Sequence, residues 1–523
     1  LKVDGRDRAA YYFWLVICCF FVIAILMQSS IFCNTDARWL LHATAKFISG
    51  GKYYHDFFET NPPMILYLNI PLVLLEKFLR LPFGFIFRAY VFLLAVFSLA
   101  ICSVLLKKIY HDRPKWMLRI FICALTYVFV ILPAHTFGER EHLALLLTVP
   151  YFFLVVLRGS NYKISIKLAV LIGVLAGCGF AIKPYFVIPF GLVELYLMFG
   201  NKKLFSWLRL ETLIIIGILI LYLAAIFIFT PEYITQVVPL AWQFYFSAVG
   251  KPYIYVFSSI WMIFFLLSSG CFVLFYELVE QQKFVVIMFL ASAGFICAYV
   301  LQHTMWFYHA LPSYAFSLLL LVQLLQEIIF KPIGTIIRYK RIKIFILVLM
   351  IVIFGLFVPF EVFYTIFSSN TSPKVERVIG FIQHNTPNHK VYFFTTSLDL
   401  THRIIDKAGA QSVSRFPSQL LLPGMLKQLD LAKTTEQKNT INRYKQQIIN
   451  AVVEDLSLYK PDLIIITDAK HDSSLSSYNF TYIKFFSQDL RFRKIFTSYS
   501  KVYKMGSLTF YRRGKLDVEH IKQ

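Results

Sequence analysis

The sequence predicts a polytopic α-helical membrane protein with a soluble α/β domain at its C-terminal end, and three observations carry that prediction. Apolar side chains make up 58% of the 523 residues and charged ones only 15%, whereas a soluble domain carries about a quarter charged residues. Apolar runs close to the roughly 20 residues that span a bilayer recur along the chain up to residue 363. From 364 onward the composition becomes that of a soluble domain. A disordered chain and a nucleic-acid-binding protein are excluded on the same grounds. The net charge of +23 then reads as the Lys/Arg excess of cytoplasmic loops and not as a polyanion-binding surface.

Eleven runs are read as transmembrane helices: 11–31, 86–106, 117–135, 141–158, 164–182, 184–199, 211–230, 253–277, 284–301, 310–329 and 342–363. The first has a basic start but no small-x-small cleavage pattern, so it is read as an uncleaved helix. A twelfth run, 62–79, begins Asn61-Pro62-Pro63 and carries Asn69, Pro71, Glu76 and Lys77. It is expected to lie on the membrane as an interfacial helix. With the N-terminus cytoplasmic, the inside loops then hold Lys107, Lys108, Arg113, Lys115 and Arg119, then Arg158, Lys163 and Lys167, then Lys202, Lys203 and Arg209, and finally Lys283, Lys331, Arg338, Lys340, Arg341 and Lys343. Were 62–79 to cross, those clusters would face outward, against the positive-inside rule.

This arrangement divides the chain into a membrane domain, 1–363, with a first outside loop at 32–85, and an extracytoplasmic α/β domain, 364–523. The tail opens with Ser372-Pro373 as a helix start. Strands are expected at 390–396, 462–467 and 508–512, with a long amphipathic helix near 434–458 and a mixed helical stretch before the last strand. The eight cysteines, Cys33 among them, include no CxxC pair, so neither a zinc site nor a disulfide framework is indicated. Gly173 and Gly177 form a GxxxG spacing, expected to serve close helix packing.

Ionisable residues beside membrane spans are costly to hold there, so their gathering on one face is informative. The first outside loop carries Asp36 and Arg38, a helix over 36–49 ended by Gly50-Gly51, and then Asp56 and Glu59 ahead of Pro62-Pro63. Three more outside segments add His135 to His142, with Arg140 and Glu141, then Lys183-Pro184-Tyr185, and Gln302 to His309, with His303. Such a set suits a reaction in which Arg or Lys holds an anionic lipid-borne group while a carboxylate accepts a proton. Taken singly, each has a plainer role: Asp36 a helix cap, Lys183 a snorkelling side chain, His303 and His309 structural histidines, and Arg140, Glu141 and His142 an ion pair at a helix start.

Asp36-Ala37-Arg38 after the first span, a following helix, Gly51, and Phe58-Glu59 before Pro62-Pro63 resemble the first periplasmic loop of the GT-C glycosyltransferases. Among these the chain is most similar to the bacterial family related to the lipid A aminoarabinose transferase and the protein O-mannosyltransferases. Ala181-Ile182-Lys183-Pro184 followed by Pro189 resembles that family's segment between two spans. The likeness covers roughly residues 10–365. It implies a GT-C-like fold, residence in a bacterial inner membrane, and inverting transfer of a sugar from a polyprenyl-phosphate donor to a glycan, lipid or protein acceptor at the outer face. It further implies Asp36 as general base, Glu59 as a positioning carboxylate, and Arg38 and Lys183 as ligands of the donor phosphate. Arg140 and His142 are added to the phosphate site, and His303, His309, Asp56 and Glu141 are candidate substrate contacts. Ala37 stands where the protein mannosyltransferases carry a second acid, and Thr60 where the aminoarabinose transferase has a lysine. No cofactor is expected, and the carboxylates are too few to indicate a divalent metal. The rival classes are a transporter or flippase of a lipid-linked sugar, for which no internal repeat is evident, and a membrane-anchored scaffold.

Overall fold

A computed structural model of the chain describes residues 5–31, 34–160, 162–200, 207–330, 337–368, 373–472 and 474–514. Cys33, Lys202, Lys203, Lys331 and Ser372 lie outside the described residues. Each of the eleven apolar runs is helical. Among the described residues, eight helices are long and apolar enough to cross a membrane: Arg8–Ser30, Phe83–Ile109, Arg140–Gly159, Leu210–Phe229, Ile260–Leu278, Gln282–Gln302, Phe307–Phe330 and Arg341–Val358. The other three runs form the shorter helices Lys115–Val130, Ile166–Ala181 and Val187–Gly200. Run 253–277, expected as one span, is two helices, Tyr253–Phe257 and Ile260–Phe275. Ser259 caps the second by accepting from the Met262 amide, and so offers the backbone an alternative to continuing the first. Residues 62–79 supply the helix Met64–Leu79, which contains Pro71 and ends on Arg80 in the left-handed region at φ 52°.

The chain resolves into two compact units. Unit one comprises residues 1–34, 63–225 and 251–368, and holds most of the membrane helices. The Arg140–Gly159 helix is buried along nearly its whole length. Gly179 lets the Ile166–Ala181 helix approach it, since a Cβ there would sit 2.7 Å from Thr148 Cγ2 and 2.9 Å from Leu147 Cβ. Gly173 and Gly177 face the other way, and a Cβ on them would come within 3.1 Å of Ile214 and 2.8 Å of Ile218. The GxxxG spacing therefore serves helix packing, as expected.

Unit two comprises residues 35–62, 226–250 and 369–523. The tail thus shares one compact unit with the first-loop helix and with a stretch at 233–249 in which two wide π-helical turns alternate with short α-helical ones. Its sheet runs β2-β1-β3-β5-β4, where β1 is Lys390–Phe394, β2 Gln411–Ser412, β3 Leu463–Thr467, β4 Tyr499–Met505 and β5 Leu508–Arg513. β1 pairs in parallel with β2 and β3, and β5 runs antiparallel to both β3 and β4. Val391, Phe393, Leu463, Ile465 and Phe510 build the core between the sheet and the helices Pro373–Asn385 and Leu398–Ala408. The long helix is Thr435–Tyr459, opened by a capping box between Thr434 and Gln437. β4 replaces the last part of the mixed helical stretch. As an edge strand exposing Lys501, Tyr503 and Lys504, it lacks the apolar alternation that would have announced it.

Candidate functional site

In unit one, three of the segments expected at the outer face meet around the Lys183 ammonium. Lys183 separates the Ile166–Ala181 helix from the turn Pro184–Phe186, and Pro184 holds it extended at φ −140°, ψ 141°. Standing on neither helix, its side chain reaches Glu141, Gln302 and His309. Nζ donates to Glu141 Oε1 at 2.5 Å and to Gln302 Oε1 at 2.8 Å, and lies 3.3 Å from His309 Nε2. Tyr185 donates its hydroxyl to the same Gln302 oxygen at 2.8 Å, and Thr304 Oγ1 lies 2.5 Å from His309 Nδ1. The rings of Tyr185 and Tyr308 lie 5.8 and 5.9 Å from the ammonium. Burial pulls Lys183 below the ordinary lysine range, and Glu141 opposes that shift.

The acid comes from a helix start built on Gly138. At φ +80° the backbone favours glycine, and a Cβ would lie 2.3 Å from Phe87 Cζ. Glu139 then takes the N-cap position, and Arg140 and Glu141 open the helix, where an acid complements the positive end of the helix dipole. Arg140 pairs with Glu139 at 3.3 Å and lies over the Tyr308 ring at 5.7 Å. Glu141 Oε2 is buried without a hydrogen-bond partner, so the cluster retains an unused acceptor. Ala134, His303 and Met305 hold left-handed backbone at φ 51°, 37° and 64°. Such conformations are costly for residues other than glycine and concentrate at working sites.

Two predicted members have other duties. His142 accepts from the Gly138 amide on Nδ1 at 2.9 Å, so Nε2 carries the proton that it gives to the Phe129 carbonyl at 2.8 Å. Both ring nitrogens are thereby spent on backbone. His303 ends the Gln282–Gln302 helix and turns its ring toward Lys251 and Tyr253.

In unit two, Asp36 and Arg38 occupy the first turn of the helix Thr35–Ile48. Gly50 at φ +87° ends that helix, with the Gly51 amide bonded back to the Lys46 carbonyl at 2.9 Å. Asp56 closes the following turn, accepting from the Lys52 amide at 2.8 Å. Glu59 is buried, with Oε2 accepting from Trp39 Nε1 at 2.7 Å and Oε1 from the Asn61 amide and side chain at 2.7 and 2.5 Å. These donors hold its charged form in one orientation. Gln302, Thr304, Tyr185, Tyr308 and Glu139 were not singled out from the sequence, although all lie inside the segments that were. Being mostly neutral polar groups, they acquire a role only once the helices meet. Among the described residues no three or more His, Cys, Asp or Glu side chains group closely enough to hold a metal ion.

No family model matches the chain, and no curated protein matches it. Among solved structures it is similar to ArnT from Cupriavidus metallidurans bound to undecaprenyl phosphate, with 11% identity, 95% of this chain and 97% of that chain covered, and a TM-score of 0.55. The apo state of the same protein gives 11% identity, 96% and 98% coverage, and a TM-score of 0.57. An archaeal oligosaccharyltransferase, AglB from Archaeoglobus fulgidus, in complex with an inhibitory peptide and a dolichol-phosphate, aligns at 10% identity over 98% of this chain and 75% of that chain, with a TM-score of 0.46. At such identities the likeness speaks for the architecture, and the architecture is the one the first loop resembles: the chain has the fold of the GT-C glycosyltransferases.

Proposed function

We propose that the chain is an integral-membrane glycosyltransferase that moves a sugar from a polyprenyl-phosphate donor to an acceptor hydroxyl at the outer face of a bacterial inner membrane. The observation that carries this reading is the buried Lys183 ammonium, gripped by Glu141, Gln302 and His309 in a fold shared with a protein solved with undecaprenyl phosphate.

In the proposed step, the Asp36 carboxylate takes the proton of the acceptor hydroxyl. The acceptor oxygen bonds to the anomeric carbon as the bond from that carbon to the phosphate oxygen breaks, with inversion, and polyprenyl phosphate leaves. Lys183, Arg140 and Arg38 offset the charge on the departing phosphate. A phosphate oxygen entering beside Lys183 takes over hydrogens that Nζ now gives to Gln302 and Glu141. The unused Glu141 Oε2 is then an acceptor for a sugar hydroxyl. Glu59, fixed by Trp39 and Asn61, orients acceptor or sugar.

Mass spectrometry of cell-envelope glycans from a strain lacking the protein tests the reading, with complementation by the wild type and by Asp36→Asn. Loss of one sugar substituent, restored only by the wild type, is expected. Intact donor accumulating on the inner leaflet, with Asp36→Asn fully active, would point to a flippase instead.

A further inference from the structure

Sequence reasoning assigned no role to Arg415, which lies in the stretch after β2. It is buried, at 6% exposure, and every polar group it has is engaged. Its amide donates to Asp455 Oδ2 at 2.9 Å and its Nε to Asp455 Oδ1 at 2.8 Å, so one carboxylate takes two bonds from one residue. Nη2 donates to Glu454 Oε2 at 3.0 Å. Both acids stand near the end of the helix Thr435–Tyr459.

The remaining bonds go to the first loop. The Arg415 carbonyl accepts from the Phe58 amide at 2.7 Å, and Nη1 reaches the Tyr54 carbonyl at 3.4 Å. Between these contacts the chain makes a tight turn, with Tyr54 at φ 67° and its amide bonded to the Phe57 carbonyl at 2.7 Å. Phe58 is fully buried, with its ring 5.3 Å from that of Phe416. The next residue is Glu59. Arg415 thus holds both ends of the turn that delivers the Glu59 carboxylate.

We propose that Arg415 is a positioning residue for the first loop: fixed by Asp455 and Glu454, it sets the place and orientation of Glu59. The tail thereby takes part in transfer by holding the loop. This inference rests on the role proposed for Glu59. The planar guanidinium is essential to it, because it aims fixed donors at Asp455, Glu454 and the Tyr54 carbonyl at once, whereas a lysine carries the charge on a single nitrogen and cannot span three such separated acceptors.

The test uses the full-length protein in nanodiscs, with Arg415→Lys beside Glu59→Gln. Hydrogen exchange followed by mass spectrometry is read on peptides covering 52–61, and on β1 and β3 as the measure of intact folding. The same variants are assayed for envelope-glycan complementation. Arg415→Lys is expected to speed exchange at 54–58 tenfold or more, to leave β1 and β3 protected, and to cut complementation as Glu59→Gln does. Unchanged exchange at 54–58, or faster exchange throughout the sheet, overturns the inference whatever the protein's activity. Faster loop exchange with full complementation, while Glu59→Gln fails, overturns it too. A Glu59→Gln variant that complements fully overturns the role given to Glu59 and the inference resting on it, while accelerated exchange in Arg415→Lys still shows the clasp itself. Glu454→Gln, which loosens the guanidinium and leaves Asp455 paired, gives a smaller loop effect in a variant that keeps the buried pair.

Discussion

Lys183 Nζ and Glu141 Oε1 meet at 2.5 Å with both side chains sealed from solvent. Removing one member of a buried pair costs about 3–5 kcal/mol, because the other charge is stranded, whereas replacing both costs far less. Glu141→Ala is therefore expected to lower thermal stability sharply in detergent. Lys183→Met combined with Glu141→Gln should recover most of it, yet lose the protection that undecaprenyl phosphate gives against unfolding. A Glu141→Ala protein as stable as the wild type would contradict this reading of the pair.

Asp36→Asn keeps the shape of the side chain and removes its basicity. Transfer should fall by about 10²- to 10⁴-fold, the usual scale of general-base catalysis, while thermal shift by undecaprenyl phosphate stays unchanged. Full activity of this variant would reject Asp36 as the base.

Trp39→Phe takes away the indole donor to Glu59 Oε2, while the bonds from Asn61 stay in place. A hydrogen bond to a charged group contributes about 1.5–3 kcal/mol, so a loss near the lower end is expected in denaturant unfolding. Transfer should drop with it, through a less ordered Glu59.

Gly138→Ala places a Cβ against the buried Phe87 ring at a left-handed position. The backbone alone costs about 1–2 kcal/mol, and the clash adds to it. Gly217→Ala, where nothing lies within 4 Å of the new Cβ, should be neutral or stabilising by up to about 1 kcal/mol. Equal melting temperatures for the two variants would count against the strain assigned to Gly138.

A reporter fused after Lys107 should register as cytoplasmic if the helix Met64–Leu79 lies on the membrane. A periplasmic signal there would invert the loop assignments that follow.

Much of this molecule is legible in its sequence because its strongest signals are long and local. All eleven apolar runs became helices, since twenty apolar residues leave the backbone little else to do in lipid. β1, β3 and β5 showed as short apolar runs, but β2, two residues long, and the exposed β4 did not. At the candidate site, charge drew attention to Lys183, Arg140 and Glu141, and the structure gathers them. The sequence reading put His142 in the phosphate site and His309 among the candidate substrate contacts, and only the packing shows the first spent on backbone and the second facing Lys183. Arg415 was invisible for a different reason. Its partners at 54, 58, 454 and 455 lie far off along the chain in both directions, and no spacing rule connects them.

The order of the sheet leaves a two-residue strand at one border and β4 at the other. An unpaired border invites a stranger's backbone, and proteins discourage this with brevity or with lysines. β2 uses the first device, and β4, with Lys501 and Lys504 exposed and a bulge between Lys501 and Tyr503, uses the second. Replacing both lysines with valine would remove that defence and favour aggregation of the tail through β4.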